Sequence, residues 1–411
     1  MDAREIKAWE LTGDVRISFV NGSWHVHSQT NSDRYAVNPS PTAPFCACDD
    51  FQLRGQPCKH ILAVRLLLNR QINGEPNPTP DQIPQREKRK TYTQDWANYN
   101  LAQTHEKDHF QVLLADLCRP LPELPVKGTK GGRPTVPIAS ALFSSIFKVY
   151  STFSARRFMS DLRVSHERGH ITQLPCYNSV LRYLENPAVT PILHELIRQS
   201  SLPLRSVEVD FAVDSSGFST SRFVRWFDQK YGSIRSKCDW VKCHLACGVK
   251  TNVVTAVRIE DKNAADCPQL KPLMQATAEN FTVREASADK AYLSNANLEL
   301  IDGLGGVPFI PFKVNSQEDG PALWQRMYHY FSFRREEFLQ HYHKRSNVES
   351  TFSMIKAKFR DNVRAKSDTA MVNEVLAKVI CHNICCVISA WYELGIEPSY
   401  WASKELAPKP I

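Results

Sequence analysis

The sequence predicts an α/β protein. Its largest domain is a mixed sheet with flanking helices, preceded by a helical region and a small Cys/His-bearing module. Three observations carry this. Cys and His residues cluster between residues 46 and 60, apolar residues recur at helical spacing between 91 and 200, and from residue 203 the pattern alternates with period two.

The 411 residues suffice for about two to four domains with sizeable cores. Hydrophobic content of 42% and charged content of 23% are those of an ordinary globular chain. We read no run approaching the roughly 20 apolar residues of a membrane span. The N-terminal MDAREIKAWELTGD is charged and mixed, unlike a signal peptide, so a cytoplasmic protein without a membrane partner is expected. The 12 cysteines are then thiols or metal ligands rather than disulfides. A formal charge of +8 leans towards a polyanionic partner.

Residues 1–68 form a small unit ending in the apolar run HILAVRLLL. Residues 69–90, rich in Pro, Asn, Gln and charge, read as a linker. Residues 91–200 read as helical from IASALFSSIFKVY and YNSVLRYLEN, with KGTKGGRPTVP (127–137) separating two groups of helices. The main domain spans 201–390. RSVEVDFAVDSS is its first strand, Val207, Val209, Phe211 and Val213 alternating with Glu208, Asp210, Ala212 and Asp214. WVKCHLACGVK and TNVVTAVRIE follow as strands. Then come a helix (CPQLKPLMQATAEN), a strand (REASAD), a helix (NANLELIDGL) and a strand (GVPFIPFK). The last element is a helix, broken or continuous, from Pro321 to Arg360. Three strands, helix, strand, helix, strand, helix is the element order of the ribonuclease H-like fold. Residues 391–411 form a tail.

In CACDDFQLRGQPCKH, Cys46, Cys48, Cys58 and His60 supply the four ligands of a closed tetrahedral zinc site, with Gly55 and Pro57 turning the chain between the pairs. In so small a unit Zn²⁺ supplies much of the folding energy. The CxC, gap, CxH pattern and the apolar helix starting at the histidine resemble the SWIM zinc finger, which implies a module that contacts DNA or protein. Cys238, Cys243 and Cys247, and Cys381, Cys385 and Cys386, lack such pairing and read as buried thiols.

Metal-dependent phosphoryl transfer needs hard oxygen ligands converging from separate elements. Asp210 and Asp214 share a face of the first strand but lie about 13 Å apart, so only one can join a cluster. Asp214, followed by Ser-Ser-Gly at the expected strand end, is preferred. Asp289, in SADKAYLS, ends the fourth strand, where an ordinary turn or N-cap aspartate is also at home.

The last helix carries YHKRSNVESTFSMIK. At about 100° per residue, Tyr342, Arg345, Glu349 and Lys356 fall on one stripe roughly 60° wide. A simple Arg345–Glu349 ion pair at i,i+4 is one reading. The other makes Glu349 a metal ligand flanked by phosphate-binding bases. From Lys344 to Lys366 seven Lys or Arg face two acids, an excess of 7 − 2 = +5. The spacing Y-(2)-R-(3)-E-(6)-K resembles the signature of the DDE insertion-sequence transposases, and AVDSSGF and ADKAYLS are similar to the surroundings of that family's two catalytic aspartates. The likeness covers about residues 205–390. It implies a ribonuclease H-like catalytic domain in which Asp214, Asp289 and Glu349 bind Mg²⁺ or Mn²⁺ while Tyr342, Arg345 and Lys356 hold DNA. It also implies cleavage at transposon ends, strand transfer into target DNA, and at least a homodimer in the synaptic complex, associated with the nucleoid in a prokaryote.

Within the helical region, SARRFMSDLR and CYNSVLRYLEN suit either a helix-turn-helix presenting Asn178, Ser179 and Arg182 to DNA or a plain bundle. KGGRP is either half of a minor-groove hook or a basic linker. Two further readings of the whole chain stay open: a retired transposase that only binds DNA, and a cellular nuclease of the same fold.

Overall fold

The computed structural model describes residues 3–13, 16–28, 33–79, 82, 95–123, 135–220 and 240–401. Most of the expected linker from residue 80 onward, KGGRP, Cys238 and the tail beyond residue 401 lie outside the described residues. The chain divides into two units, Met1–Thr93 and Gln94–Ile411.

In the first unit, α1 (Ala3–Gly13) precedes an antiparallel sheet of β1 (Ile17–Val20), β2 (Ser23–His27), β3 (Arg34–Asn38) and β4 (Phe45–Cys46). Asn21 and Gly22, with φ of 51° and 78°, make the tight β1–β2 turn that places Val20 opposite Ser23. Two helices follow, α2 (Asp49–Arg54) and α3 (Lys59–Ile72), the latter running past the expected boundary at residue 68. Ala8 and Leu11 of α1, Val26 and Val37 of the sheet, and Ile61 and Val64 of α3 form a small buried core. The expected apolar helix is present. The sheet was not foreseen, because its strands are too short to establish a period.

The second unit begins with α4 (Trp96–Cys118), α5 (Ile138–Ser151), α6 (Ala155–Glu167), α7 (Tyr177–Tyr183) and α8 (Val189–Ser201). Then come β5 (Asp210–Ser219), β6 (Trp240–Gly248), β7 (Val254–Glu260), α9 (Leu270–Ala278), β8 (Glu285–Ala288), α10 (Asn295–Gly303) and β9 (Val307–Phe309). Four helices close it: α11 (Ala322–Phe333), α12 (Arg335–Tyr342), α13 (Ser346–Phe359) and α14 (Asp368–Leu394). The strand order is β7-β6-β5-β8-β9. β6 is antiparallel to its neighbours, whereas β8 is parallel to β5 and to β9. The predicted α/β, ribonuclease H-like fold is the one observed.

Alternation along β5 divides the core. Phe211 and Val213 pack with α9 and α10, while Ala212 and Phe218 pack with α13, α14 and the N-terminal helices. Asp214 shares the face of Ala212, the side on which α13 lies. α14 is long and apolar enough to cross a membrane, contrary to the reading from sequence, but its apolar stretch is 83% buried inside the protein, so that surface is spent on the core. Asn383 of α14 accepts from Val254 N at 2.8 Å and donates to Val254 O at 2.8 Å, satisfying the outer edge of β7.

The expected first strand needs correction. The first strand begins at Asp210 and runs to Ser219, so Asp214 lies inside it and not at its end. Residues 202–204 form a 3₁₀ turn, and Glu208 is buried to accept backbone N–H groups of Lys250 and Thr251 at the β6–β7 turn. A carboxylate committed to turn amides cannot continue the strand pattern. The last helical segment is broken twice, at Arg334 and through a 3₁₀ turn at His343–Arg345.

Candidate active site

The N-terminal ligands converge. Cys46 ends β4, Cys48 precedes α2, Cys58 precedes α3 and His60 lies in the first turn of α3. All four are buried, and their ligand atoms lie within 4.8 Å of one another. His60 Nδ1 is 3.7 Å from Cys46 Sγ and 3.8 Å from Cys58 Sγ. Tetrahedral zinc with Zn–S near 2.3 Å sets such ligands about 3.5–3.8 Å apart, so the set fits that ion. Nδ1 faces the sulfurs and is the nitrogen placed to coordinate zinc; Nε2 is buried without a hydrogen-bond partner, and the Tyr35 ring lies 4.9 Å from the imidazole. Contact with Cys46 is the main reason Cys58 falls to about 4, and the same contact drives Cys46 up.

In the second unit, β5 and β8 pair in parallel with Val213 opposite Ala288. One step further along this register come Asp214 and Asp289, on strands spaced about 4.8 Å apart. Asp214 Oδ1 accepts from Ser215 N at 2.8 Å, and Asp289 caps the 3₁₀ turn Lys290–Tyr292, accepting from Lys290 N at 2.5 Å. Glu349 stands in the first turn of α13, where the helix dipole favours an anion. Arg345 joins two of these acids: it donates to Asp214 Oδ2 at 2.6 Å through Nη1 and to Glu349 through Nη2. Burial is the largest influence on Asp214 and raises its carboxyl above the ordinary range. Arg345 and the Ser215 N–H oppose this, while Asp289 and Glu349 add to it. Among the described residues only the Cys/His set has three or more ligand atoms all within 4.8 Å, so the three acids are more widely spread.

The remaining stripe residues divide. Lys356 points inward, donating to Ser216 Oγ at 2.6 Å over the rings of Phe218 and Phe352, and burial lowers its pKa. Tyr342 is half-buried, with the Arg345 guanidinium 5.9 Å from its ring centroid. Because a 3₁₀ turn separates Tyr342 from α13, the stripe is not one face of one α-helix.

Asp210 is otherwise engaged. Arg284 donates to it twice, at 2.8 and 2.7 Å, and Lys344 donates at 2.9 Å. Burial would raise its pKa, but Arg284 and Lys344 outweigh this and hold the carboxyl below its usual value. Lys344 also bonds Glu285 at 2.7 Å, and His341 lies 3.0 Å from the same carboxylate.

Sequence reasoning missed a polar group beside Asp214. Asp266 accepts from Ser215 Oγ at 3.1 Å and Lys242 Nζ at 2.8 Å. Buried His244 lies 3.7 Å from Asp266 and 3.3 Å from Tyr292 Oη, tying β6 to the loop that carries Asp289. Lys242 and His244 alternate with Val241, Cys243 and Leu245, the one signal available in advance.

In the helical region, residues 168–176 connect α6 to α7, longer than the three or four residues of a helix-turn-helix turn. Asn178 and Arg182 are exposed and Ser179 is half-buried.

The chain thus combines an α/β domain of ribonuclease H type, with acids on β5, after β8 and on α13, and a Cys₃His module. Residues 205–384 match the family model described as Transposase DDE domain, and residues 35–69 match the SWIM zinc finger. The chain therefore carries a transposase-type catalytic domain and a SWIM zinc finger. No curated protein and no solved structure matches it.

Proposed function

We propose that this protein is a DNA transposase that cleaves at the ends of its element and joins them to target DNA. Asp214, Asp289 and Glu349 would hold divalent cations; the donor set suits them, being three hard carboxylates with a guanidinium lodged between two. Mg²⁺ or Mn²⁺ bound there would supply Lewis acidity for phosphodiester chemistry. The observation that carries the reading is the β5–β8 register, which sets Asp214 beside Asp289 on the side facing α13.

In this scheme Arg345, Lys356 and Tyr342 bind and orient the transposon end. Lys356, anchored on Ser216 of β5, fixes α13 against the strand that carries Asp214. Water cleaves one phosphodiester to release a 3′-OH, and that hydroxyl displaces a target phosphodiester in line, with no covalent protein–DNA intermediate. Two copies of the chain would synapse the two ends. We assign residues 201–390 to catalysis, 91–200 to support and DNA contact through Asn178 and Arg182, and 1–68 to a zinc-held contact module with Cys46, Cys48, Cys58 and His60 as ligands. Residues 69–90 serve as linker and 391–411 as tail.

The test incubates purified protein with DNA from the element's ends and Mg²⁺ beside the Glu349→Gln variant. Cation-dependent strand cleavage that the variant loses is expected. Equal cleavage by both would overturn the assignment.

A further inference from the structure

Arg345 spans two elements of the candidate site. Its fork reaches Asp214 Oδ2 on β5 at 2.6 Å and Glu349 on α13, and 20% of its side chain is exposed. Asp289 is left out of this bridge. A guanidinium that satisfies two carboxylates offers what a divalent ion would offer them: positive charge aimed at the same lone pairs. The two cations compete for those oxygens, and their mutual repulsion adds to the competition.

We propose that Arg345 is a resident counter-cation, competing with divalent ions for Asp214 and Glu349 and releasing both acids when a DNA phosphate takes up its fork. The inference rests on the three acids being the cation site of the proposed function. Phosphate accepts the guanidinium fork in the same bidentate manner as carboxylate, so the exchange conserves hydrogen bonds. The local structure allows it. Neighbouring Lys344 is tethered to Asp210 and Glu285, which holds the backbone of the 3₁₀ turn while the Arg345 side chain moves. The Tyr342 ring beside the guanidinium offers it a face along which to leave the acids. Cation loading and DNA binding thereby favour each other, and linkage makes that preference reciprocal. The protein would be guarded against loading cation, and hence against cutting, before an end is bound.

Direct Mn²⁺ binding to the zinc-loaded full chain, followed by electron paramagnetic resonance of the free ion, tests this with and without a short DNA duplex. Without DNA, Arg345→Gln is expected to bind Mn²⁺ about tenfold more tightly than wild type, because a partly exposed charge pair is lost as competitor. Arg345→Lys, which keeps the charge without the fork, falls between them. DNA should tighten Mn²⁺ binding by wild type and leave Arg345→Gln unchanged. Mn²⁺ binding that Asp214→Asn and Glu349→Gln abolish, but that is indifferent to Arg345, refutes the counter-cation alone. Mn²⁺ binding insensitive to both acid variants, with or without DNA, removes the cation site and the inference with it.

Discussion

Asp210 and Asp214 offer a sharp separation of structural from chemical roles, since they lie on one face of one strand. Asp210 receives three charge-assisted hydrogen bonds, two from Arg284 and one from Lys344. Such bonds contribute about 1.5–3 kcal/mol each when shielded. Here the Arg284 side chain is 62% exposed and Lys344 29%, and two of the bonds share one fork, so solvent competes and the contributions do not add. We expect Asp210→Asn to cost about 2 kcal/mol, a fall in Tm of about 4–8 °C for a domain of this size. Asp214→Asn removes a carboxylate opposed by burial, Asp289 and Glu349 and favoured by Arg345 and the Ser215 N–H. Burial and the two acids outweigh the opposing groups, so removing this charge should not destabilise the fold, and its stability should change by less than about 1 kcal/mol. Cation-dependent cleavage of end DNA should vanish in Asp214→Asn and survive in Asp210→Asn below its melting range. Thermal melts and a strand-cleavage gel read both outcomes. Cleavage lost at unchanged Tm in Asp210→Asn, with cleavage kept in Asp214→Asn, would show that the roles are reversed.

Two other predictions concern the rest of the chain. The purified protein should carry one zinc per chain by elemental analysis, and Cys58→Ser with His60→Ala should release it and unfold the first unit; a zinc-free wild type with that unit folded would refute the site. Burial holds His382 down at about 4 against an ordinary 6.5, so the ring is neutral in the fold, with Nε2 2.9 Å from Asn252 O. On acidification the unfolded chain takes up this proton first. The neutral ring's contribution is therefore full above pH 6.5 and is lost as the pH falls towards 4, amounting to about 2 kcal/mol by pH 5. Urea midpoints at pH 7 and pH 5 should differ less in His382→Gln, whose side-chain amide can still donate to Asn252 O; equal pH dependence would dispose of this account.

Local chemistry was readable in advance wherever it rested on spacing along the chain. Cys46, Cys48, Cys58 and His60 needed only their intervals and a turn at Gly55, whose φ of 63° a glycine adopts readily. The strands and helices of the catalytic domain followed from periodicity, and their order implied the sheet. Three things were not readable. The first strand's start was masked because Val207 and Val209 alternate as a strand does, while Glu208 turns inward to hold the β6–β7 turn. α14 is one continuous helix whose apolar run is interrupted by Asn373, Lys378 and His382, each of which finds a partner outside the helix. The Lys242, His244 and Asp266 group joins two residues of β6 to the connection after β7, and no interval in the sequence links them.

The sequence by itself determined which residue types the chemistry has to work with: a Cys₃His set, two aspartates at strand positions and a glutamate amid bases. It determined the element order of the second unit's sheet too, because hydrophobic periodicity is written residue by residue. Partnership was decided only in the tertiary structure. The parallel register of β5 and β8 set Asp214 beside Asp289, Arg284 and Lys344 took Asp210 out of contention, and Arg345 was placed between Asp214 and Glu349. Charges respond to whatever lies within a few ångströms, and which groups those are depends on how distant segments pack.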